Sequence, residues 1–282
     1  MDINQIPNLN EIENLIQDDQ VVLMKDVAEK QTINALDFFP ISLNSFNEGM
    51  NGGVTEGDLV ILTGPTGMGK TSLAQTFTVG FNKIGLPQLW FSYEVAMWHL
   101  WSKFKSMGVN DDFLAYCPMK MTSGSVDWIE GKIKEGILKY KTKIVFIDHL
   151  GFLMPRVSGT NKDFSRNYSA YLGDTVRQLK GIAVENNIII FLLTHVRKTK
   201  ELGIDDIADS SKIAQEADFV FMVERLKSNS RALINGSGDV YSDETKIQLV
   251  KNRRTGLTKF VKCKMINSTF REIIPDDFIT YN

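Results

Sequence analysis

Cysteine is scarce in this chain: two in 282 residues, Cys117 and Cys263. They lie far apart and form no C-x-x-C pair. That argues against a disulfide framework or a zinc ribbon and fits a reducing compartment. Long apolar runs are absent as well. None approaches the roughly 18–20 residues that span a bilayer. The opening "MDINQIPNLNEIENL" is acidic and polar, without the apolar centre of a secretory leader. There is no internal repeat and no low-complexity tract. Nor is positive charge in excess. A net charge of −2 argues against a surface coated in nucleic acid but leaves room for a local basic channel. The expectation that remains is a soluble chain, 43% apolar, able to bury one large core.

Against that balance one stretch stands out. From Lys246 to Lys264, "KIQLVKNRRTGLTKFVKCK" holds seven basic residues and no acidic one. It reads as two strands around a turn at "TG". Such a run is a solvated face, a nucleic-acid patch, or a source of positive charge for a phosphate.

Residues 1–50 read as a helical arm and linker, and 51–282 as one repeating α/β domain. Leu9, Ile12 and Ile16 share one face of a short helix, and a weaker helix covers Lys25–Leu36. "GMNGG" (49–53) is flexible punctuation. Continuous apolar runs then mark buried strands: "DLVILTG", "PQLWFSYE", "KIVFIDHL", "NIIIFLLTH" and "DFVFMVER". Between them lie helices: one from Lys70 to about Asn82, one with Met97, Leu100, Trp101 and Phe104, and one with Val126, Ile129, Ile133 and Ile137. A long helix carries Tyr168, Tyr171, Leu172, Val176, Leu179 and Ile182. Strand–helix alternation predicts a mostly parallel sheet with helices on both faces, closed by an antiparallel edge. Two polar loops, Pro155–Asn167 and Ser228–Glu244, interrupt it.

"GPTGMGKT" matches G-x-x-x-x-G-K-[ST] in full, between a strand and a helix. Gly64, Pro65, Thr66, Gly67, Met68, Gly69, Lys70, Thr71 and Ser72 therefore form a predicted nucleotide cradle. Backbone N–H groups and the helix N-terminus meet phosphate oxygens. Lys70 reaches the β- and γ-phosphates, and Thr71 ligates Mg²⁺. Asp148, ending the third strand, is the second predicted Mg²⁺ ligand. Glu94, ending the second strand, is either a base for the attacking water or a helix-start residue. His195, ending the fourth, is either a γ-phosphate contact or a structural histidine.

Several motifs occur together in order: "GPTGMGKT", "FSYE", "IVFIDHL", "LLTHVRK", "SSKIAQEAD" and "KNRRTG". On these the chain resembles the RecA-like P-loop motor domain of hexameric replicative helicases. The likeness is to the DnaB-like group, superfamily 4, and especially its phage primase-helicase and Twinkle branch. It covers about Ile41 to Phe270. The resemblance implies an ATPase (of ATP or another NTP or dNTP, with Mg²⁺) that moves 5′→3′ on single-stranded DNA as a hexameric ring. Primase, polymerase and single-strand-binding protein are the implied partners. Glu94 would be the catalytic glutamate and His195 the phosphate sensor. Lys251 and Arg253 would reach the neighbouring subunit's nucleotide, and Arg197, Lys198 and Lys200 of "VRKTK" would line a central DNA channel. Ala208 stands where many relatives carry an arginine, which leaves Lys212 as the candidate DNA contact there. The short arm predicts a motor without the relatives' primase domain. The chain's Asn, Ile and Lys content points to an AT-rich genome, and the expected location is a bacterial or phage-infected cytoplasm.

Strand alternation puts Lys251 and Arg253 on one face with Ile247 and Leu249 behind them. Lys262 and Lys264 then form a solvated edge that discourages strand addition. Two other readings stay open: a RecA-like recombination or remodelling ATPase that binds DNA without unwinding it, and a nucleotide-gated assembly ATPase with no nucleic acid.

Overall fold

The computed structural model describes residues 23–25, 38–153, 162–195, 211–227 and 241–273, with 162–169, 211 and 212 described by backbone alone. The chain divides into two compact units, Met1–Asp37 and Phe38–Asn282. The helices read at Leu9–Ile16 and, past Lys25, up to Leu36 lie outside the described residues. The second unit takes in residues 38–50, so a boundary at residue 50 falls inside it. Phe39 and Val54 exchange backbone hydrogen bonds of 2.7 and 3.0 Å. Ile41, Leu43, Phe46 and Met50 are buried in the same core as the central strands.

The elements run α1 (Asn44–Asn47), β1 (Leu59–Thr63), α2 (Lys70–Lys83), β2 (Gln88–Ser92), α3 (Met97–Ser106) and β3 (Ala115–Tyr116). Next come α4 (Val126–Tyr140), β4 (Ile144–Asp148), a 3₁₀ turn (Leu150–Leu153), α5 (Lys162–Glu185) and β5 (Ile189–Leu193). The chain continues through α6 (Ser211–Glu216), β6 (Phe219–Lys227), β7 (Tyr241–Asn252), β8 (Lys259–Ile266) and β9 (Thr269–Glu272). One nine-stranded sheet has the order β3-β2-β4-β5-β1-β6-β7-β8-β9. Neighbours from β3 to β6 are parallel, and β7 to β9 continue antiparallel. The carboxyl ends of the parallel strands therefore meet along one side of the sheet, where ligands bind in folds of this kind.

Strands β1, β2, β4 and β5 are buried at every residue. That is why they read as unbroken apolar runs. Alternate residues sort into two cores. Val60, Leu62, Trp90, Phe146 and Phe191 pack with Leu73, Phe77 and Phe81 of α2. Leu59, Ile61, Phe91, Val145 and Ile190 pack with Ile129 and Ile133 of α4 and Leu172, Val176 and Leu179 of α5. In the first core Trp90 stacks on Phe146 at 4.7 Å and Phe146 on Phe191 at 4.8 Å, each pair in register across adjacent strands. An aromatic pair adds about 0.5–1.5 kcal/mol beyond its buried area. This ladder fixes the lateral positions of β2, β4 and β5, whose ends carry the site.

Several expectations need correction. The two polar loops are shorter than read: residue 162 already begins α5 and Tyr241 begins β7. Their central parts lie outside the described residues. The β6–β7 register jumps from Val220↔Lys251 to Phe221↔Leu249, leaving Val250 as an inserted residue. That bulge reverses the facing of everything after it. Ile247 and Leu249 face the α2 core, whereas Val250 packs in the opposite one. Lys251 therefore sits on the face opposite Leu249, not in front of it. Finally, β8 is not an edge, because β9 pairs with it. Lys262 and Lys264 instead face Glu244 and Asp243 across β7, at 3.6 and 3.2 Å. Exposed pairs of this kind contribute only about 0–1 kcal/mol each. They neutralise two of the seven positive charges of the basic run. No helix among the described residues is long and apolar enough to cross a membrane.

Candidate functional site

At the end of β1, Gly64 turns the chain away from the sheet at φ +148°, and a Cβ there would lie 2.3 Å from the Val223 carbonyl oxygen of β6. Only glycine passes. The loop ends at Gly69, the N-cap of α2 at φ +106°. A Cβ at Gly69 would meet the Phe270 ring at 3.0 Å. Phe270 comes from β9, and its backbone N–H donates to Thr76 Oγ1 of α2 at 3.1 Å. The last strand thus braces the loop's helix from behind. Within the loop the Met68 N–H donates to the Pro65 carbonyl at 3.3 Å, while Thr66 and Gly67 are exposed.

Lys70 lies in the first turn of α2 with its Nζ curled back into the loop. It donates to the carbonyl oxygens of Gly64 and Pro65 at 2.9 and 3.0 Å. Those oxygens stand in for the phosphate oxygens this geometry suits. Burial pulls the ammonium down to about 8, against the opposing pull of Glu94 and Asp148. The next residue, Thr71, donates its hydroxyl to Asp148 Oδ2 at 2.8 Å. Asp148 is 1% exposed at the end of β4. Burial lifts its carboxyl to about 6 and Glu94 adds to the rise, while the Thr71 bond and Lys70 lower it. A hydroxyl and a carboxylate form a hard oxygen donor pair, and a buried acid this costly to ionise gains from a cation beside it. Both fit Mg²⁺.

Glu94 follows β2 on a short bend, its side chain 43% exposed. The preceding residue holds that bend in place. The Tyr93 N–H donates to the Asp148 carbonyl at 2.8 Å, and the Tyr93 hydroxyl donates to the Ser123 carbonyl at 2.8 Å. Glu94 Oε2 lies 3.8 Å from His149 Nδ1 and 4.0 Å from His195 Nε2. The two imidazoles meet edge to face, with centroids 4.3 Å apart. His195 Nδ1 is 3.5 Å from Thr66 Oγ1, which ties the end of β5 to the phosphate loop. Burial, then His195, then Lys70 drag His149 down to about 4 despite Glu94. Burial and Lys70 lower His195 as well. Both shifts favour the uncharged ring.

The ends of β1, β2, β4 and β5 thus gather Lys70, Thr71, Glu94, Asp148 and His195 around one loop. Lys251 and Arg253 are not among them. Asp218 precedes β6 and is level with the start of β1: its N–H donates to the Leu59 carbonyl at 2.9 Å, and its Oδ2 accepts the Leu59 N–H at 2.8 Å. Arg253 Nη1 donates to Asp218 Oδ1 at 3.3 Å, and its other terminal nitrogen donates to the Gln215 carbonyl. Lys251 Nζ donates to the Ala214 and Gln215 carbonyls at 2.6 and 3.0 Å. Both cations therefore sit at the C-terminal end of α6. A strand of five residues, roughly 17 Å, separates that end of the sheet from the loop. Arg254 is different again. It donates to the Met50 and Gly53 carbonyls and to Asp58 Oδ2, and it lies over the Phe38 and Phe219 rings. It is a structural residue of the fold.

Arg197, Lys198 and Lys200 lie outside the described residues. Lys212 falls on α6 by its backbone, and its side chain is outside them. Two residues of the site were missed in sequence. His149 stands beside Asp148 in "IVFIDHL", and that adjacency was the available signal. Phe270 gave none, because its strand is four residues long and remote in the chain.

A family model described as DnaB-like helicase C terminal domain matches residues 116–271, more than half of the chain. "DNA repair protein RadA" of Streptococcus pneumoniae is 25% identical over 163 residues, covering 57% of this chain and 35% of that protein. "Probable plasmid replicative DNA helicase" of Chlamydia trachomatis is 30% identical over 112 residues, 36% of this chain and 23% of that one. "Replicative DNA helicase DnaB" of Mycoplasma pneumoniae is 24% identical over 318 aligned residues, covering 97% of this chain and 64% of its own length. The chain thus spans less than two thirds of each of these relatives. Among solved structures, a DnaB-like replicative helicase studied for its interactions with primase superposes with a TM-score of 0.68 at 16% identity, over 93% of this chain and 70% of that one. The ATPase domain of G40P superposes with a TM-score of 0.70 at 16% identity, over 90% of this chain and all of that one (100%). At such identities the structures speak for the fold alone.

Proposed function

The chain belongs to the DnaB-like helicase C-terminal domain family, and from that premise we propose that it is an ATP-dependent replicative helicase motor. It assembles into a hexameric ring, encircles single-stranded DNA and moves 5′→3′ along it. The observation that carries the reading is the convergence of Lys70, Thr71, Asp148, Glu94 and His195 at the carboxyl ends of the parallel strands, with Lys251 and Arg253 placed at the far end of the same sheet. A pair so placed cannot serve the nucleotide of its own chain. In a ring with head-to-tail contacts it serves the next one.

In this proposal Lys70 leaves the loop carbonyls for the β- and γ-phosphates and regains full charge there. Thr71 and Asp148 would hold Mg²⁺, which neutralises phosphate charge when bound. Glu94 orients the attacking water and takes its proton. His195 bridges the γ-phosphate and the segment carrying Arg197, Lys198 and Lys200, so phosphate loss shifts the residues that hold DNA. Lys212 adds a contact from α6. Lys251 and Arg253 stabilise charge on the neighbour's phosphoryl group, which makes hydrolysis depend on assembly. Primase, polymerase and single-strand-binding protein are the proposed partners, and a bacterial or phage-infected cytoplasm the proposed location.

The likeness to a protein named RadA favours one second reading, a RecA-like ATPase that binds DNA without unwinding it. Hydrolysis with and without single-stranded DNA, the mass of the assembly, and separation of a labelled fork test both. DNA-stimulated turnover with fork opening is the expected result. Stimulation without opening favours the second reading, and no stimulation contradicts both.

A further inference from the structure

The chain contains three histidines, His99, His149 and His195. Two of them converge on one carboxylate. Among the described residues, Glu94, His149 and His195 each offer one ligand atom, and these atoms lie within 4.8 Å of one another. The contacts from Glu94 Oε2 are 3.8 Å to His149 Nδ1 and 4.0 Å to His195 Nε2. Ligand atoms around a four-coordinate zinc, each about 2.0–2.1 Å from the metal, stand about 3.3–3.4 Å apart. The two separations from Glu94 exceed that by roughly half an ångström, and the third, between the two histidines, lies within 4.8 Å. Closing to metal-ligand distance takes a small shift of the half-exposed Glu94 side chain and of the two imidazoles toward a shared centre.

Two further features point the same way. His149 Nδ1 is buried and has no hydrogen-bond partner, and it is the ring nitrogen that lies toward Glu94. A buried polar nitrogen left in this state needs an explanation. On His195 the other ring nitrogen, Nδ1, is the one near Thr66 Oγ1, at 3.5 Å. With Nδ1 on the Thr66 side, Nε2 is the ring nitrogen left on the Glu94 side, the arrangement of a metal-binding imidazole whose other nitrogen meets a polar neighbour. The donor set also differs in kind from the neighbouring pair. Thr71 and Asp148 offer only hard oxygens, whereas two imidazoles with one carboxylate favour borderline transition metals.

We propose that Glu94, His149 and His195 form a binding site for a divalent transition metal of the zinc class, distinct from the Mg²⁺ site at Thr71 and Asp148. Three protein ligands leave a fourth position for water. Occupancy would engage the Glu94 carboxylate and hold the His195 ring. This consequence rests on the functional reading above: a metal there withdraws the residue assigned to activate water, so zinc acts as an inhibitor of turnover.

The test uses the full chain without nucleotide, titrated with Co²⁺ as a visible probe and then displaced by Zn²⁺. The expected result is one equivalent bound, with the intense visible absorption of a four-coordinate site that Zn²⁺ abolishes. His149→Asn, His195→Asn and Glu94→Gln each weaken binding by at least roughly tenfold. His99→Asn and Cys117→Ser leave it unchanged. Glu94 is half exposed, so Glu94→Gln keeps the test usable should a histidine variant misfold. No stoichiometric binding, or affinity unchanged in Glu94→Gln and His195→Asn, overturns the site. A separate arm adds Zn²⁺ to Mg²⁺–ATP turnover and then a chelator. A reversible loss of rate is expected. Metal bound at the mapped site with turnover unchanged leaves the site standing and refutes the role given to Glu94.

Discussion

Lys70 and Asp148 act on each other electrostatically beside the phosphate loop, and burial works against the charge of both. Asp148 gives the nucleotide-free fold a pH dependence. Its carboxyl is raised from 3.8 to about 6, so the folded chain holds a proton that the unfolded chain has released between those values. Folding stability therefore falls as pH rises through that window, and the cost is full above it. Asp148→Asn removes the cost. The nucleotide-free variant should be more stable than the parent at pH 7.5, on the order of 1–3 kcal/mol, and no more stable at pH 4. Urea unfolding at the two pH values checks this, and equal stability at pH 7.5 contradicts it. Glu94 and Lys70 should separate in a different way. Glu94→Gln binds nucleotide near normally yet loses roughly 10²–10⁴ in turnover, the usual share of a general base. Lys70→Ala loses turnover and weakens nucleotide binding as well. Equilibrium binding of a fluorescent nucleotide beside steady-state hydrolysis distinguishes them. If Glu94→Gln turns over at the parent rate, Glu94 is not the base, and since α3 begins only at Met97 with Ala96 as its cap, it is not a helix-start residue either.

Among the elements, the four buried central strands were legible because a strand covered on both faces leaves an unbroken apolar run. The helices were legible from their 3-4 spacing, and the loop from its glycines. What escaped depended on long-range pairing. The bulge at Val250 exists only relative to β6, so alternation alone put Lys251 on the wrong face. Strand β9 is four residues long and is made a strand by β8 and α2. His149 was in view, but its meeting with Glu94 and His195 needs three strand ends brought together. "NRRTG" shows the same limit, since adjacent arginines look alike in sequence. Arg254 is 20% exposed and pairs with Asp58, itself 10% exposed, at 2.9 Å, whereas Arg253 is 46% exposed. Arg254→Ala strands a buried carboxylate and should cost roughly 3–5 kcal/mol. Arg253→Ala should cost about 1 kcal/mol or less. Equal losses in urea unfolding would mean that Arg254 has no special structural part. The segment after β5 makes its own prediction. Arg197→Glu with Lys198→Glu should weaken single-strand binding and reduce its log–log salt slope by about 0.7 for each phosphate no longer neutralised. Basal hydrolysis should persist. An unchanged slope places the DNA-binding residues elsewhere, with Lys212 next.

At the scale of the molecule, the sheet separates the two halves of a composite site. The loop, Glu94 and Asp148 lie at the carboxyl ends of the parallel strands, and Lys251 and Arg253 lie beyond their starts. A single chain cannot bring these groups to one phosphate, so in the proposed motor each active site forms between chains. Mixing tests this most directly. Arg253→Ala subunits and Glu94→Gln subunits should each fold and bind nucleotide, and each should be nearly inactive alone. Losing an arginine finger costs roughly 10³–10⁵ in turnover. In rings assembled from both, some interfaces join an intact Glu94 to a neighbour's intact Arg253. ATP hydrolysis by the mixture should therefore exceed that of either variant by itself, rising and falling with the mixing ratio. No recovery in rings shown by mass to contain both subunits would contradict an active site shared between chains.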